Sequence, residues 1–348
     1  MLKGRPPEMV TTPSRLNICL LSDGIPGHVN QAHGFVDWLR EAGFHPQVQV
    51  IECTPKAKWL RPLLASASNI ATGSGVITHT ILASHRLQPF PQKPQLILSA
   101  GGNTRFASTA LAQFWRCPNV FLGSPRKLAP HTVSALLTLE PTPGFFHNNL
   151  VVDFAPARIS NTRPSANTWA LLLGGNGSGY QYEQQDWQAI LQWAQNCAKK
   201  NRIRWLVAGS RRSPPALREL SKKILSETHG HQHCWPEDRG KPLAERLPKA
   251  KQIVCTEDSM SMLCEAINLP RPLLSLRPGQ VASPPRYQQA IEKFAQRGYL
   301  QRALISELGG FNWVSTDPDA FASQVASSRQ NTVDKLVQLI PALEKYRD

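Results

Sequence analysis

Two α/β domains, each built on a parallel sheet, are what this sequence predicts, and three observations predict them. Short apolar runs alternate with helical periodicities along the chain, the pattern of parallel strands covered by helices on both faces. The 348 residues exceed the roughly 250–300 at which single cores stop growing. The pattern also pauses at a polar, aperiodic stretch, Arg158–Asn167, and then restarts with a new strand and a new glycine-rich loop.

In the first half, Leu16–Leu21 is an apolar strand running into a glycine-rich turn, and a helix is expected from His28 to Glu41. Gln47–Ile51 is the second strand. Lys58–Ala71 and Val76–Arg86 read as helices broken at Gly73-Ser74-Gly75. Gln95–Leu98 leads through a glycine pair into a helix ending near Phe114, and Asn119–Leu122, Ala135–Leu139 and Leu150–Val152 are further strands. In the second half the strands are Trp169–Leu173, Ile203–Val207, Gln252–Cys255 and Leu273–Leu276. Helices are expected over Gln184–Lys199, Pro215–Glu227 and Ser259–Ile267, and the helical tail Pro318–Tyr346 is able to pack back across the junction. The expectation is therefore two Rossmann-like domains, residues 1–160 and 161–348, with parallel sheets and a cleft between them.

Composition narrows the classes. Hydrophobic residues make up 41% and charged residues 18%, which suits packed cores and excludes disorder. No apolar run approaches the ~20 residues that span a bilayer. Met1–Arg15 includes Lys3, Arg5 and Glu8 without an apolar core, unlike a secretory signal. Seven scattered cysteines argue against a disulfide framework and for a reducing compartment, the cytoplasm. The net charge is +15, and no acidic residue lies between Glu52 and Glu140. Lys56, Lys58, Arg61, Arg86, Lys93, Arg105, Arg116, Arg126 and Lys127 all fall in that stretch. A positive first half is expected to face something anionic. Aromatic residues do not interleave with these charges and no nucleic-acid motif is present, so an anionic membrane surface is the expected partner, with no nucleic acid. Trp59–Ile70, amphipathic and flanked by Lys56, Lys58 and Arg61, is the candidate contact, although a core-facing helix explains the same pattern.

Ligands of open parallel sheets bind beyond the carboxyl ends of the strands, and four loops there have unusual chemistry. The first runs Ser22-Asp23-Gly24-Ile25-Pro26-Gly27-His28-Val29-Asn30-Gln31. Gly24 and Gly27 let a ligand approach the backbone, and Asp23 and His28 are alternative general bases. The second, Gly101-Gly102-Asn103, repeats the strand–glycine–helix arrangement on what would be the acceptor side, or else permits tight packing. The third, Gly174-Gly175-Asn176-Gly177-Ser178-Gly179, matches neither the P-loop nor the dinucleotide fingerprint, but suits a phosphate or sugar guest. The fourth site combines Ser210-Arg211-Arg212 with Glu257-Asp258-Ser259-Met260-Ser261 and Glu265. Paired arginines and a helix start suit a diphosphate, and Glu265 suits a ribose; the acids Glu257 and Asp258 also serve as simple caps. His229-Gly230-His231-Gln232-His233-Cys234 lacks the spacing of a zinc site and reads as a loop after a helix.

These motifs in order, Ser22-Asp23-Gly24 with Gly27-His28 and Gln31, then Gly174-Gly175, Ser210-Arg211-Arg212-Ser213-Pro214 and Thr256-Glu257-Asp258-Ser259, resemble the elongated-mitochondria fission family and its bacterial relatives. The resemblance spans residues from about 16 to 310. For plant members it implies recruitment of a dynamin-type fission protein to a membrane, and for bacterial members glycosyl transfer in envelope sugar assembly such as lipopolysaccharide biosynthesis. The second half is also similar to the GT-B glycosyltransferase that adds N-acetylglucosamine to the peptidoglycan lipid precursor. That resemblance implies Glu265 on the donor ribose and His28 near the reaction centre.

The expected function is transfer from a nucleotide-sugar, used as co-substrate with no further cofactor, to a membrane glycolipid or envelope polysaccharide by a cytoplasmic enzyme peripheral to the inner membrane. The chain is read as having no free Asp-x-Asp triplet, and the transfer therefore as metal-independent. The alternative is a non-catalytic membrane-associated adaptor. A sugar-nucleotide epimerase is disfavoured by the absence of the dinucleotide fingerprint and of a Tyr-x-x-x-Lys pair.

Overall fold

The computed structural model describes residues 14–70, 74–89, 92–159, 162–165, 167–238, 243–314 and 317–348. It divides into two compact units. The first runs up to Leu137 and includes Thr142–Leu150 and Gln330–Asp348, and the second comprises Thr138–Pro141 and Val151–Arg329.

The first unit contains strands β1 (Leu16–Ser22), β2 (Pro46–Pro55), β3 (His85–Leu87), β4 (Leu96–Ala100), β5 (Asn119–Leu122) and β6 (Ala135–Thr138), with β7 (Asn149–Val151) at the edge. Its helices are α1 (Pro26–Glu41), α2 (Arg61–Ile70), α3 (Gly75–Ala83) and α4 (Arg105–Trp115). The strand order is β3-β2-β1-β4-β5-β6-β7, with β2, β1, β4, β5 and β6 parallel. β1 and β4 are buried almost throughout, as a sheet covered on both faces requires. The helix expected over Val76–Arg86 ends early. Past Ala83 the chain turns, and His85–Leu87 pairs antiparallel with the far end of the long β2. The final residues close on this unit: Arg347 Nε donates to the Ala42 carbonyl at 2.9 Å and His45 Nε2 meets the Asp348 carboxylate at 2.6 Å.

The second unit contains β8 (Thr168–Leu173), β9 (Tyr180–Gln181), β10 (Arg204–Gly209), β11 (Gln232–Cys234), β12 (Gln252–Thr256), β13 (Leu273–Arg277), β14 (Gln280–Val281) and β15 (Gln301–Leu304). Its helices are α5 (Gln184–Asn201), α6 (Pro215–Ile224), α7 (Leu243–Arg246), α8 (Met260–Asn268) and α9 (Pro285–Gln296), and α10 (Pro318–Leu339) divides between the units at Gln330. The main sheet is parallel throughout in the order β11-β10-β8-β12-β13-β15. Counted along the chain this is 3-2-1-4-5-6, the order of a Rossmann sheet. Trp169, Trp187 and Trp205 anchor its core.

The junction differs from the expected Arg158–Asn167, of which Ser160, Asn161 and Ala166 lie outside the described residues. The second unit begins at Val151 because the next residues are tied to it. Phe154 packs edge-on against Tyr299, Asp153 pairs with Arg297, and Asn268 Nδ2 donates to the Ala155 carbonyl at 2.8 Å.

Candidate functional site

Each sheet reverses its strand order once, beside its first strand: between β1 and β4 in the first unit, and between β8 and β12 in the second. Loops leaving two such strands run to opposite faces, and the crevice left between them is where ligands of this architecture bind. The three glycine-bearing loops and the Glu257–Ser261 loop leave these strands, and the Ser210–Arg212 loop leaves β10 next to β8.

In the first unit, the switch point holds a chain of side-chain bonds. Asp23, its carboxylate fully buried, accepts from the Ile25 amide at 3.2 Å and meets His28 Nδ1 at 3.0 Å. Asn103, delivered by the loop after β4, donates to the same carboxylate at 3.0 Å, and its own oxygen accepts from Arg61 at the start of α2. Gly101, at φ +83°, is where the His28 ring lies; a β-carbon there would fall 2.1 Å from Nδ1. Gly24, at φ +73°, makes the turn, and the Ser22 hydroxyl accepts its amide at 3.1 Å. Gly27 and Gly102 have open space where a side chain would stand. Gln31 follows on α1, half-buried.

Both Asp23 oxygens are engaged, which leaves this acid a holder. With Nδ1–H pointed at Asp23, the Nε2 lone pair of His28 is the proton acceptor of the pair. The His28 side chain is 35% exposed, and Nε2 has no partner among the described residues. The arrangement can take a proton from a hydroxyl placed beside it.

In the second unit, the glycine pair after β8 has a specific neighbour. A β-carbon on Gly174 would stand 2.1 Å from Asp258 Oδ1, and one on Gly175 would stand 2.0 Å from the Arg212 carbonyl oxygen. Asp258, buried after β12, accepts from Arg212 Nη2 at 2.6 Å and from Thr256 Oγ1 at 2.7 Å, while Thr256 Oγ1 accepts the Gly174 amide at 2.8 Å. Burial raises the Asp258 pKa, and Thr256 and Arg212 oppose that rise. Arg212 therefore braces the loops. Arg211 beside it is exposed and without a side-chain partner among the described residues. Ser210 accepts the Arg212 amide at 3.1 Å, and Asn176 accepts the Tyr182 amide at 2.8 Å, so both shape their own loops. Ser259 occupies the N-cap of α8 without capping it, its hydroxyl 3.2 Å from that of Ser261, and no acid stands in the first turn. The positive end of α8 is thus left for an anion. Glu265 follows on the same helix, half-buried.

Glu257 lies elsewhere. Its side chain is fully buried, gripped by Arg302 at 2.8 and 3.0 Å, Ser275 at 2.9 Å and Tyr180 at 3.2 Å. Sequence reading missed these three partners, which come from strands far along the chain with no local signal. Ser213, which ends the motif begun by Ser210-Arg211-Arg212, fixes that loop by donating its hydroxyl to the Leu173 carbonyl at 2.8 Å. The histidine run is not a loop: Gln232–Cys234 is strand β11. There His231 Nδ1 accepts the Trp205 amide at 3.0 Å and His233 Nε2 donates to the Leu225 carbonyl at 2.9 Å. One Asp-x-Asp triplet does occur, Asp317-Pro318-Asp319, outside both sets of loops. It caps α10, with Asp317 accepting the Asp319 amide at 3.0 Å.

A family model described as mitochondrial fission ELM1 matches residues 141–328. No curated protein matches the chain. Among solved structures, the chain is similar to MurG of Acinetobacter baumannii, at 14% identity over 94% of this chain and 99% of that one, with a TM-score of 0.41. It is also similar to a UDP-GlcNAc 2-epimerase from Neisseria meningitidis bound to UDP-GlcNAc, at 13% identity over 94% and 100%, TM-score 0.48. The UDP-GlcNAc 2-epimerase of Methanocaldococcus jannaschii gives 14% identity over 93% and 100%, TM-score 0.45.

Proposed function

For a chain that belongs to the mitochondrial fission ELM1 family, we propose the activity of a GT-B-type glycosyltransferase that moves a sugar from a nucleotide-sugar to a membrane glycolipid or envelope polysaccharide. The observation that carries this reading is the Asp23–His28 pair. A buried carboxylate holding one imidazole nitrogen while the other stays open is a device for moving protons, and a recruiting surface has no use for it.

The donor binds the second unit. Arg211 and the start of α8, Ser259 to Ser261, meet its diphosphate, and Glu265 holds the ribose. Gly174, Gly175 and the Arg212–Asp258 pair keep these loops in register. The acceptor binds the first unit, against Gly27, Gly102 and Gln31. Its hydroxyl gives its proton to His28 Nε2, the hydroxyl oxygen bonds the anomeric carbon, and the bond from that carbon to the donor diphosphate breaks. The electron pair leaves with the nucleoside diphosphate, whose charge Arg211 and the helix amides stabilise without a metal. The displacement inverts the anomeric centre.

Attachment to an anionic membrane uses the first unit's basic, apolar corner. Trp59, Leu63, Ile70 and Val76 are 75, 64, 69 and 78% exposed, with Lys56 and Arg61 beside them. No helix among the described residues is long and apolar enough to cross a membrane. The family's description favours a second reading, an adaptor that recruits a fission partner. Wild type and His28→Ala, each given membrane lipid extract and UDP-, GDP-, CMP- or ADP-sugars, separate the two. Nucleotide release by wild type alone supports transfer, and equal release or none from both supports the adaptor.

A further inference from the structure

Next to the Asp23–His28 pair the first unit gathers cations that no ion pair among the described residues neutralises. Leu64, Phe106 and Leu128 share one apolar cluster, and each lies within three residues of an arginine: Arg61 at the start of α2, Arg105 at the start of α4, and Arg126 in the loop after β5. Packing of that cluster therefore brings the three arginines into one neighbourhood, close enough for Arg126 and Arg61 to repel Arg105. Arg105 is only 5% exposed, and its Nε and Nη1 have no hydrogen-bond partner, nor does Arg61 Nε. Buried donors in this state are costly. The position compounds the cost, because Arg105 is a cation in the first turn of a helix, where the dipole is already positive. Burial, together with repulsion from Arg126 and Arg61, pulls the Arg105 pKa down to about 10. The nearest acids in sequence, Glu52 and Glu140, lie outside the whole segment.

We infer that Arg61, Arg105 and Arg126 form a binding site for a phosphoryl group carried by the sugar acceptor, which places the acceptor among phosphate- or diphosphate-linked compounds. Forked guanidinium donors match tetrahedral phosphoryl oxygens, and an anion here satisfies the orphaned donors, the repelling charges and the helix end together. Arg61 links this site to the proton acceptor, since it donates to Asn103, which donates to Asp23, which holds His28. A phosphoryl group seated on the arginines sets its attached sugar hydroxyl at a fixed distance from Nε2. The assignment of that phosphoryl group to an acceptor rests on the proposed transfer; the anion site itself does not.

Inorganic pyrophosphate titrated into the full chain, followed by calorimetry, tests the site without turnover. Arg211→Ala removes the competing diphosphate contact of the second unit. In that variant pyrophosphate binding persists, and adding the exposed-site change Arg126→Gln weakens Kd about tenfold or more. Arg105→Met abolishes binding, with Arg126→Gln as the variant that leaves folding intact. Binding that Arg211→Ala removes, or that is indifferent to Arg126→Gln, overturns the inference. If pyrophosphate binds as expected while no nucleotide-sugar is consumed, the site stands and the transferase reading falls. Sedimentation with phosphatidylcholine vesicles, with and without phosphatidic acid, then identifies the source. Capture by phosphatidic acid that Arg126→Gln weakens points to a lipid phosphate, and capture of pyrophosphate alone points to a soluble sugar phosphate; either supports the site.

Discussion

Replacing Asp23 with Asn keeps the shape of the first switch point but presents a neutral partner to His28 Nδ1. Transfer then falls by about 10²–10⁴ in kcat, while nucleotide affinity, which belongs to the other unit, stays at the wild-type value; steady-state kinetics and calorimetry on one preparation check both. Gly174→Ala acts differently, because its β-carbon would meet Asp258 Oδ1 at 2.1 Å. Such overpacking costs on the order of 1–3 kcal/mol, read as a lower urea midpoint, and dislodges the Arg212–Asp258 pair. At this scale the sequence displayed the glycines and their loops but not their reasons. Gly101 and Gly174 were legible as sites of close approach, yet what approaches, the His28 ring and the Asp258 carboxylate, comes from loops about 73 and 84 residues away along the chain. Choosing between Asp23 and His28 required burial, which only the fold supplies.

Among the elements, the buried ion pair between Glu257 after β12 and Arg302 on β15 ties the centre of the second sheet to its edge across β13. Arg302→Met leaves a fully buried carboxylate without its charge partner and costs roughly 3–5 kcal/mol. Adding Glu257→Gln recovers most of it, which a double-mutant cycle by urea unfolding measures. The histidines of β3 and β11, and the one just before β11, set a pH dependence. Burial lowers the pKa of His85, His231 and His233 below the ordinary value near 6.5. The unfolded chain therefore binds protons more readily, so stability is full above about pH 6.5 and falls as pH drops towards the folded values. Tm is expected to be lower at pH 5.5 than at 7.5, with a smaller difference in His231→Gln. Strong periods made β1, β5, β8, β12 and α5 readable, because apolar runs and helical faces follow from the residues alone. β3, β9, β11 and β14 have two or three residues each, and form because a neighbouring strand offers a ladder, a cause outside their own sequence. α9 begins at Pro285 behind Pro284, a proline pair that by itself reads equally as a turn.

For the whole molecule, the charge distribution is the legible part and its use is the proposal. Vesicles containing anionic lipid are expected to retain the protein at low salt and release it as salt rises, since each basic residue near the surface contributes about 1 kcal/mol and is screened. Trp59→Ala with Leu63→Ala weakens retention even at low salt. Division into two units was visible in the restart of the strand–helix pattern, whereas the return of Gln330–Asp348 to the first unit follows from Arg347 and Asp348 bonding at Ala42 and His45, contacts across some 300 residues.

The central claim, a nucleotide-sugar site on the second unit, is tested most directly by thermal unfolding of wild type and Arg211→Ala with UDP, GDP, CMP and ADP and their sugar conjugates. A ligand at about a hundred times its dissociation constant stabilises by roughly 2.7 kcal/mol. The account predicts a rise in Tm with one nucleotide family, lost in Arg211→Ala. A Tm that no nucleotide moves, or one that moves equally in both proteins, contradicts it.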